Sequence, residues 1–304
     1  MQQDKRFQHI KYDEKIARAM IELTETDPKK IIKRGREPRD RMLWGIYWGK
    51  LIVVGADTGV WKTTFVNQIC NNVSKQGRKV VKYSLEDRME DAWKEELFYL
   101  INRKRIAESK KPYNRVDFVN NEYWDSEEFK REVVEVWNKL MEIDIMELDK
   151  NWLINIDDLV KLMKEQIQEW VKLFAIDHLH YFEMDWNERH DLQIQNAMHK
   201  INELARKHNV AIILVAHYKL NKAFWQTGIP SYDDFKDWAA IKQVANIIIQ
   251  ITREIDWENE SQFHITKLRW PIRPEIINAT FDLKTFEYKF YLDSDKQTSM
   301  KGSF

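Results

Sequence analysis

The sequence predicts an α/β fold with a mostly parallel central sheet and helices on both of its faces. Two patterns carry that expectation. Apolar runs such as "KLIVVGA", "KLFAID" and "VAIILVAHY" are nearly continuous rather than alternating, as strands covered on both faces require. The segments between them have helical period, and strands alternating with helices are the pattern of a parallel sheet. A third observation sets the scale: 304 residues with 43% hydrophobic content can bury the core of one large domain or two small ones.

The elements follow in order. Residues 12–24, "YDEKIARAMIELT", place apolar side chains at helical spacing, and the polar, proline-broken "ETDPKKIIKRGREPRD" after them reads as an arm. An N-terminal helix and arm over 1–40 would precede a compact domain over 41–304. "KLIVVGA" is the first buried strand, and "KTTFVNQICNNVSKQG" a helix ending at Gly77. "KVVKYSL" and "EDAWKEELFYLINRKRIA" form a second strand and helix, and residues 109–125 read as loop. "SEEFKREVVEVWNKLME" is a helix capped by Ser126, and "INIDDLVKLMKEQIQEWV" another whose start holds the acids Asp157 and Asp158. "KLFAIDHLHYF", "DLQIQNAMHKINELARKHN" and "VAIILVAHY" give strand, helix, strand. "AAIKQVANIIIQITRE" and the terminal strands "SQFHITKLRW" and "IINATFDLKTFEYKF" close the chain.

The bulk numbers exclude several classes. Net charge is zero, so a nucleic-acid surface must be local or built by several subunits around a channel. The one cysteine, Cys70, rules out an intramolecular disulfide and a cysteine-based zinc site, and its helical position reads as core. No apolar run approaches the ~20 residues of a membrane span, and the charged N-terminus lacks a signal-peptide core. A cytoplasmic protein without a membrane partner is expected. The thirteen tryptophans read as core or interface filling.

The segment carrying chemistry is "KLIVVGADTGVWKTTFVNQI", residues 50–69. A phosphate loop presents backbone N–H groups at a helix N-terminus, a lysine for charge and a Ser/Thr hydroxyl for magnesium. Strand, short loop and Lys62-Thr63-Thr64 fit that plan, with Gly55, Ala56, Asp57, Thr58, Gly59, Val60 and Trp61 forming the loop. The pattern G-x-x-x-x-G-K-[ST] is nevertheless broken, because Ala56 and Trp61 stand in its two glycine positions. An ordinary strand–turn–helix remains the alternative for this loop alone. Three further strand ends carry polar groups: Glu86, Asp177 and His217. Ligands bind outside the carboxyl ends of parallel strands, so these residues can converge with Lys62 and Thr63 on one site.

In this order the segments resemble the RecA-fold motor domain of hexameric replicative helicases, of the DnaB, phage primase-helicase and mitochondrial Twinkle types. The resemblance spans roughly residues 32–292. "LWGIYWGKLIVVGADTGVWKTT" looks like that family's lead-in and phosphate loop, and "VVKYSLEDRM" is similar to the segment whose glutamate is the catalytic base. "AIDHLHYF" resembles the family's "IDYLQL" or "LDHIS" Walker B, and "ILVAHYKLNK" its phage-type strand end with a γ-phosphate-sensing histidine. "YDDFKDWAAIKQVANIIIQITRE" looks like a family segment stripped of its glycines, and "ITKLRW" like the strand that reaches a neighbour's ATP.

The resemblance implies a RecA-like P-loop NTPase using ATP and Mg²⁺. Lys62 and the loop would hold phosphates, Thr63 and Asp177 the metal, and Glu86 would polarise the attacking water. His217 would sense the γ-phosphate, while Lys267 and Arg269 would act on the neighbouring subunit's nucleotide. Lys219, Lys222 and Trp225, in the loop after His217, would grip single-stranded DNA. It further implies a homo-hexameric ring with ATP sites between subunits, working in DNA replication beside a separate primase or loader. A phage or mobile-element origin suits so short a motor. A non-catalytic ring or loader-like protein, favoured by Trp61, and a recombinase-like ATPase are the competing readings.

Overall fold

The computed structural model describes residues 31–32, 46–56, 62–85, 89–140, 143–147, 154–178, 189–217, 238–253, 259–268, 275–285 and 287–291. The expected helix over 12–24, loop residues Asp57 to Trp61, Glu86, Arg269, and the loop with Lys219, Lys222 and Trp225 lie outside the described residues.

A two-stranded hairpin, β1 (Ile31–Ile32) with β2 (Ile46–Tyr47), precedes the main sheet. That sheet comprises β3 (Leu51–Ala56), β4 (Lys79–Ser84), β5 (Ile143–Glu147), β6 (Val171–Asp177), β7 (Ala211–His217), β8 (Ile247–Arg253), β9 (Glu260–Leu268), β10 (Glu275–Asp282) and β11 (Glu287–Tyr291). Their spatial order is β11-β10-β9-β8-β3-β7-β6-β4-β5. From β8 to β5 every neighbouring pair is parallel. From β8 outward to β11 every pair is antiparallel. The expectation of a mostly parallel sheet is met, with the antiparallel pairs confined to the β8–β11 side.

Period two divides the side chains of the central strands between two cores. Ile52, Val54 and Ala56 of β3, with Ala211, Ile213 and Val215 of β7, face the core covered by α1 (Lys62–Ser74) and α2 (Met89–Ala107). Leu51 and Val53, with Ile212, Leu214 and Ala216, face the other core. That second core is covered by α5 (Ile156–Gln168), α6 (His190–His208) and α7 (Trp238–Val244). Because both faces are covered, all six residues of β3 are buried, which is why the run shows no alternation. Helix α1 turns Phe65, Val66, Ile69, Cys70 and Val73 inward at three- and four-residue spacing. Cys70 is the core residue expected, and burial pushes its thiol up to about 12.

The structure corrects the sequence reading in several places. Within 109–125 there is a short helix, α3 (Arg115–Val119), capped by the Asn114 side chain. The segment "IDIME", which the sequence pattern does not mark as a strand, forms β5 and pairs with β4 at the sheet edge. Helix α5 stops at Gln168, short of Trp170 and Val171; Trp170 takes φ 71° in the turn and Val171 opens β6. "IINATFDLKTFEYKF" is not one strand but the hairpin β10–β11. Its outer strand is fastened by Gln68 of α1, whose amide donates to Tyr288 O and accepts from Tyr288 N. Nor do tryptophans fill the described interior. Trp48 and Trp93 are half-buried, and Trp124, Trp137 and Trp170 are exposed.

Two expectations about helix starts are met. Ser126 Oγ accepts from Phe129 N at the head of α4 (Glu127–Leu140). Asp157 and Asp158 stand in the first turn of α5, where Lys200 pairs with Asp157.

Candidate functional site

The alternation that sorts the cores also aims the polar strand ends. Residues 211, 213 and 215 face the α1 side, so His217 continues on that side at the end of β7. Leu173 and Ala175 likewise face α1, so Asp177 at the end of β6 does too. Helix α1 begins with Lys62 and Thr63 at the same edge. Residues from three segments far apart in the chain therefore meet. The Thr63 hydroxyl donates to Asp177 Oδ2 at 2.7 Å. Lys62 Nζ donates to the Ala56 carbonyl at 3.1 Å and lies 3.2 Å from His217 Nδ1.

An ammonium carries donors and no acceptor, so it must be the donor to His217. Nδ1 is then the accepting nitrogen, and the ring proton sits on Nε2. Lys62 and Asp177 are buried, while Thr63 and His217 are half-buried.

Ala56, one of the two departures from the loop pattern, lies in regular strand. It pairs with His217 on one side and Ile251 on the other. No left-handed backbone is needed there, so alanine is accommodated without backbone strain. Its carbonyl is the acceptor that parks Lys62, a role the sequence reading did not assign. At the end of β4, Leu85 N donates to Asp177 O at 2.7 Å, so the chain leaves toward residue 86 from beside Asp177.

Among the described residues no group of three or more His, Cys, Asp and Glu could hold a metal ion by itself. The adjoining Thr63 hydroxyl and Asp177 carboxylate do suit Mg²⁺. This hard ion takes one or two protein oxygens and completes its shell with water and phosphate oxygens.

Lys267 is not brought to this cluster. Strand β9 runs antiparallel to β8, with Lys267 level with Ile248 and Leu268 with Ile247. Ile248 in turn is level with Val53, three residues short of Ala56. Lys267 is thus displaced by two strands and by roughly 10 Å along the strand direction. Its ammonium donates to the Lys242 carbonyl of α7 instead.

The sequence reading also missed His178. Only 7% exposed, it packs its ring against His217 with centroids 4.2 Å apart and planes at 73°. The available signal was a ring-bearing residue directly after the strand-end aspartate. Periodicity says nothing about such a residue, because the strand has ended.

A central strand leading into Lys62-Thr63, with the β7 strand inserted between it and the Asp177 strand, defines a P-loop nucleoside-triphosphatase fold of RecA-like architecture. Within that class the chain belongs to the family of DnaB-like helicase C-terminal domains, which it matches over residues 32–281.

Two solved structures share the architecture. One, described as an ATPase domain, superposes with a TM-score of 0.79 at 17% identity, covering 94% of this chain and all of that one. The other, described as a DnaB-like replicative helicase and its interactions with primase, has a TM-score of 0.76 at 17% identity. It covers 91% of this chain, which spans 66% of that protein. No curated protein matches the sequence. No helix among the described residues is long and apolar enough to cross a membrane.

Proposed function

We propose that the chain is an ATP-hydrolysing motor that moves on single-stranded DNA as a ring of six subunits in DNA replication. The observation that carries this reading is the meeting of Lys62, Thr63, Asp177 and His217 at one sheet edge. Lys62, released from Ala56 and His217, takes the terminal phosphates with help from the stretch Gly55 to Thr64, where β3 gives way to α1. Thr63 and Asp177 hold Mg²⁺, which when bound neutralises charge on the phosphate oxygens. Glu86 orients the attacking water, and His217 reads the γ-phosphate.

Family membership supports the helicase class. The displacement of Lys267 from its own subunit's cluster supports a supply of cations from a neighbour. Lys267 and Arg269 then serve the adjacent nucleotide, a contribution worth ~10³–10⁵ in rate where an arginine finger acts. The loop with Lys219, Lys222 and Trp225 grips the strand in the channel by charge and stacking. In this reading residues 41–304 form the motor, residues 1–40 an arm reaching a neighbouring subunit, and a separate primase or loader completes the cytoplasmic machinery. A phage or mobile-element source belongs to the same reading.

Trp61 in a glycine position favours one second reading, a ring that binds DNA without turning over nucleotide. Steady-state ATP hydrolysis with and without single-stranded DNA decides between them, using the natural chain, Lys62→Ala and Glu86→Gln. DNA-stimulated hydrolysis abolished by both substitutions supports the motor. Absence of hydrolysis and of ATP binding in the natural chain sinks it. Native mass spectrometry with nucleotide tests the six-membered ring.

A further inference from the structure

We propose that His178 is a positioning residue, whose ring fixes the imidazole of His217 in the orientation that lets it discriminate ATP from ADP. The inference rests on the nucleotide reading of the Lys62 cluster and adds a residue to it.

His217 is the last residue of β7, and it is half-buried where the six residues before it are buried. The ladder to β3 fixes its backbone opposite Ala56 but does not fix its ring torsions. Its hydrogen bond to Lys62 does not secure the ring through a catalytic cycle either, because Lys62 must leave Nδ1 to meet a phosphate.

His178 supplies a restraint that survives that departure. It is buried and follows directly on Asp177. Asp177 is itself tied through its carboxylate to Thr63 and through its carbonyl to Leu85 N. The steep angle between the two rings is the edge-to-face geometry that aromatic pairs prefer. A ring anchored in the interior therefore backs the ring at the strand end. When a phosphate draws Lys62 away, Nδ1 stays aimed at the ground the ammonium occupied, where an added γ-phosphate is felt and its absence is felt too. No change of protonation at His178 is needed for this.

The test uses the full chain with Mg²⁺ and compares His178→Ala, His178→Phe and His178→Gln. ADP and a non-hydrolysable ATP analogue measure discrimination, and ATP measures turnover. Expected for His178→Ala is a fall in kcat of about 2- to 12-fold, the equivalent of one edge-to-face ring pair. ADP affinity and Mg²⁺ requirement should stay as in the natural chain, and the preference for the ATP analogue over ADP should narrow.

His178→Phe keeps the ring and should restore both kcat and the preference. A merely structural role would lower the melting temperature without moving that preference. If His178→Ala does not fold, His178→Leu, bulky but without a ring, takes its place.

The proposal is overturned if the ring-less variant discriminates and turns over like the natural chain. It is also overturned if His178→Gln rescues where His178→Phe does not, since a hydrogen bond would then be the operative contact. Failure of the natural chain to bind either nucleotide would instead end the nucleotide reading, and the role of His178 with it.

Discussion

The two ends of the parallel strands are built to opposite purposes from the same sheet. Where the strands begin, polar groups are consumed by one another. Gly49 N donates to Val210 O, Ile212 N to Lys50 O, and Asn246 N to Leu51 O. Asn246 Oδ1 then accepts from Leu51 N at 2.8 Å. Where the strands finish, side chains take over: Thr63 donates to Asp177, and Lys62 bridges the Ala56 carbonyl and His217. Backbone-to-backbone closure stabilises and cannot be exchanged without unfolding, whereas an ammonium on a carbonyl and an imidazole can be recruited elsewhere. Backbone closure dominates at one end, and the candidate site lies at the other.

Substitutions at the two ends should therefore separate activity from stability. The largest effect is expected from Lys62→Ala at the finishing end. Under the proposed function it should lower ATP hydrolysis by on the order of 10²–10³, the cost of one well-placed stabilising group. Its melting temperature should stay within a few degrees of the natural chain, and equal loss of both properties would break the comparison.

Next come two buried titrating groups outside both sets of contacts. Burial pushes the Glu96 carboxyl up to about 7 from 4.5, opposed by the nearby Asn71 amide and the charge of Lys82. Burial pushes the His264 imidazole down to about 4 from 6.5. The protonated form of Glu96 favours the fold, so its contribution is complete below about pH 4.5 and is lost as pH rises through 7. Neutral His264 favours the fold, so its contribution is complete above about pH 6.5 and is lost as pH falls through 4. The slopes oppose each other, and each is on the order of 3 kcal/mol in full. Chemical denaturation of the natural chain should show a shallow pH dependence between them. Glu96→Gln should leave stability rising with pH, and His264→Gln should leave it falling; any other signs would refute the assignment.

Smaller effects are expected at the beginning end. Asn246→Ala leaves the buried Leu51 N–H without its acceptor, at a cost of about 1–3 kcal/mol. Urea titration should register that loss while KM for ATP stays unchanged. The smallest is Gly49→Ala. A Cβ there meets its nearest neighbours at 3.6 and 3.7 Å, so space is available, and the penalty is that of φ 72° for a residue with a side chain. That is about 1–2 kcal/mol, readable as a shift in urea midpoint with hydrolysis intact.

Much of this architecture is legible in local sequence. "KLIVVGA" and "VAIILVAHY" announce buried strands, and because ligands bind outside the carboxyl ends of parallel strands, polar residues that end such runs are candidates for one site. Asp177 and His217 can be nominated that way, and Lys62 and Thr63 from the strand–loop–helix plan of a phosphate loop. The failures are equally physical. "IDIME" is short, and its two acids blur the apolar pattern of an edge strand. Trp170 sits in a turn at a positive φ that a bulky residue rarely adopts, so helical periodicity runs through it unbroken. The short α3 is set by the Asn114 cap rather than by an apolar face.

By itself, then, the sequence determined the class of fold and nominated the strand ends where polar residues converge. These depend on the period of burial along a few consecutive residues. Tertiary structure alone decided that β7 lies between β3 and the Asp177 strand, that Ala56 offers its carbonyl to Lys62, and that Lys267 stands apart from the cluster. It alone decided that His178 lies against His217. Strand order and ring contacts join residues tens to hundreds of positions apart, and no local pattern along the chain encodes which of them will meet.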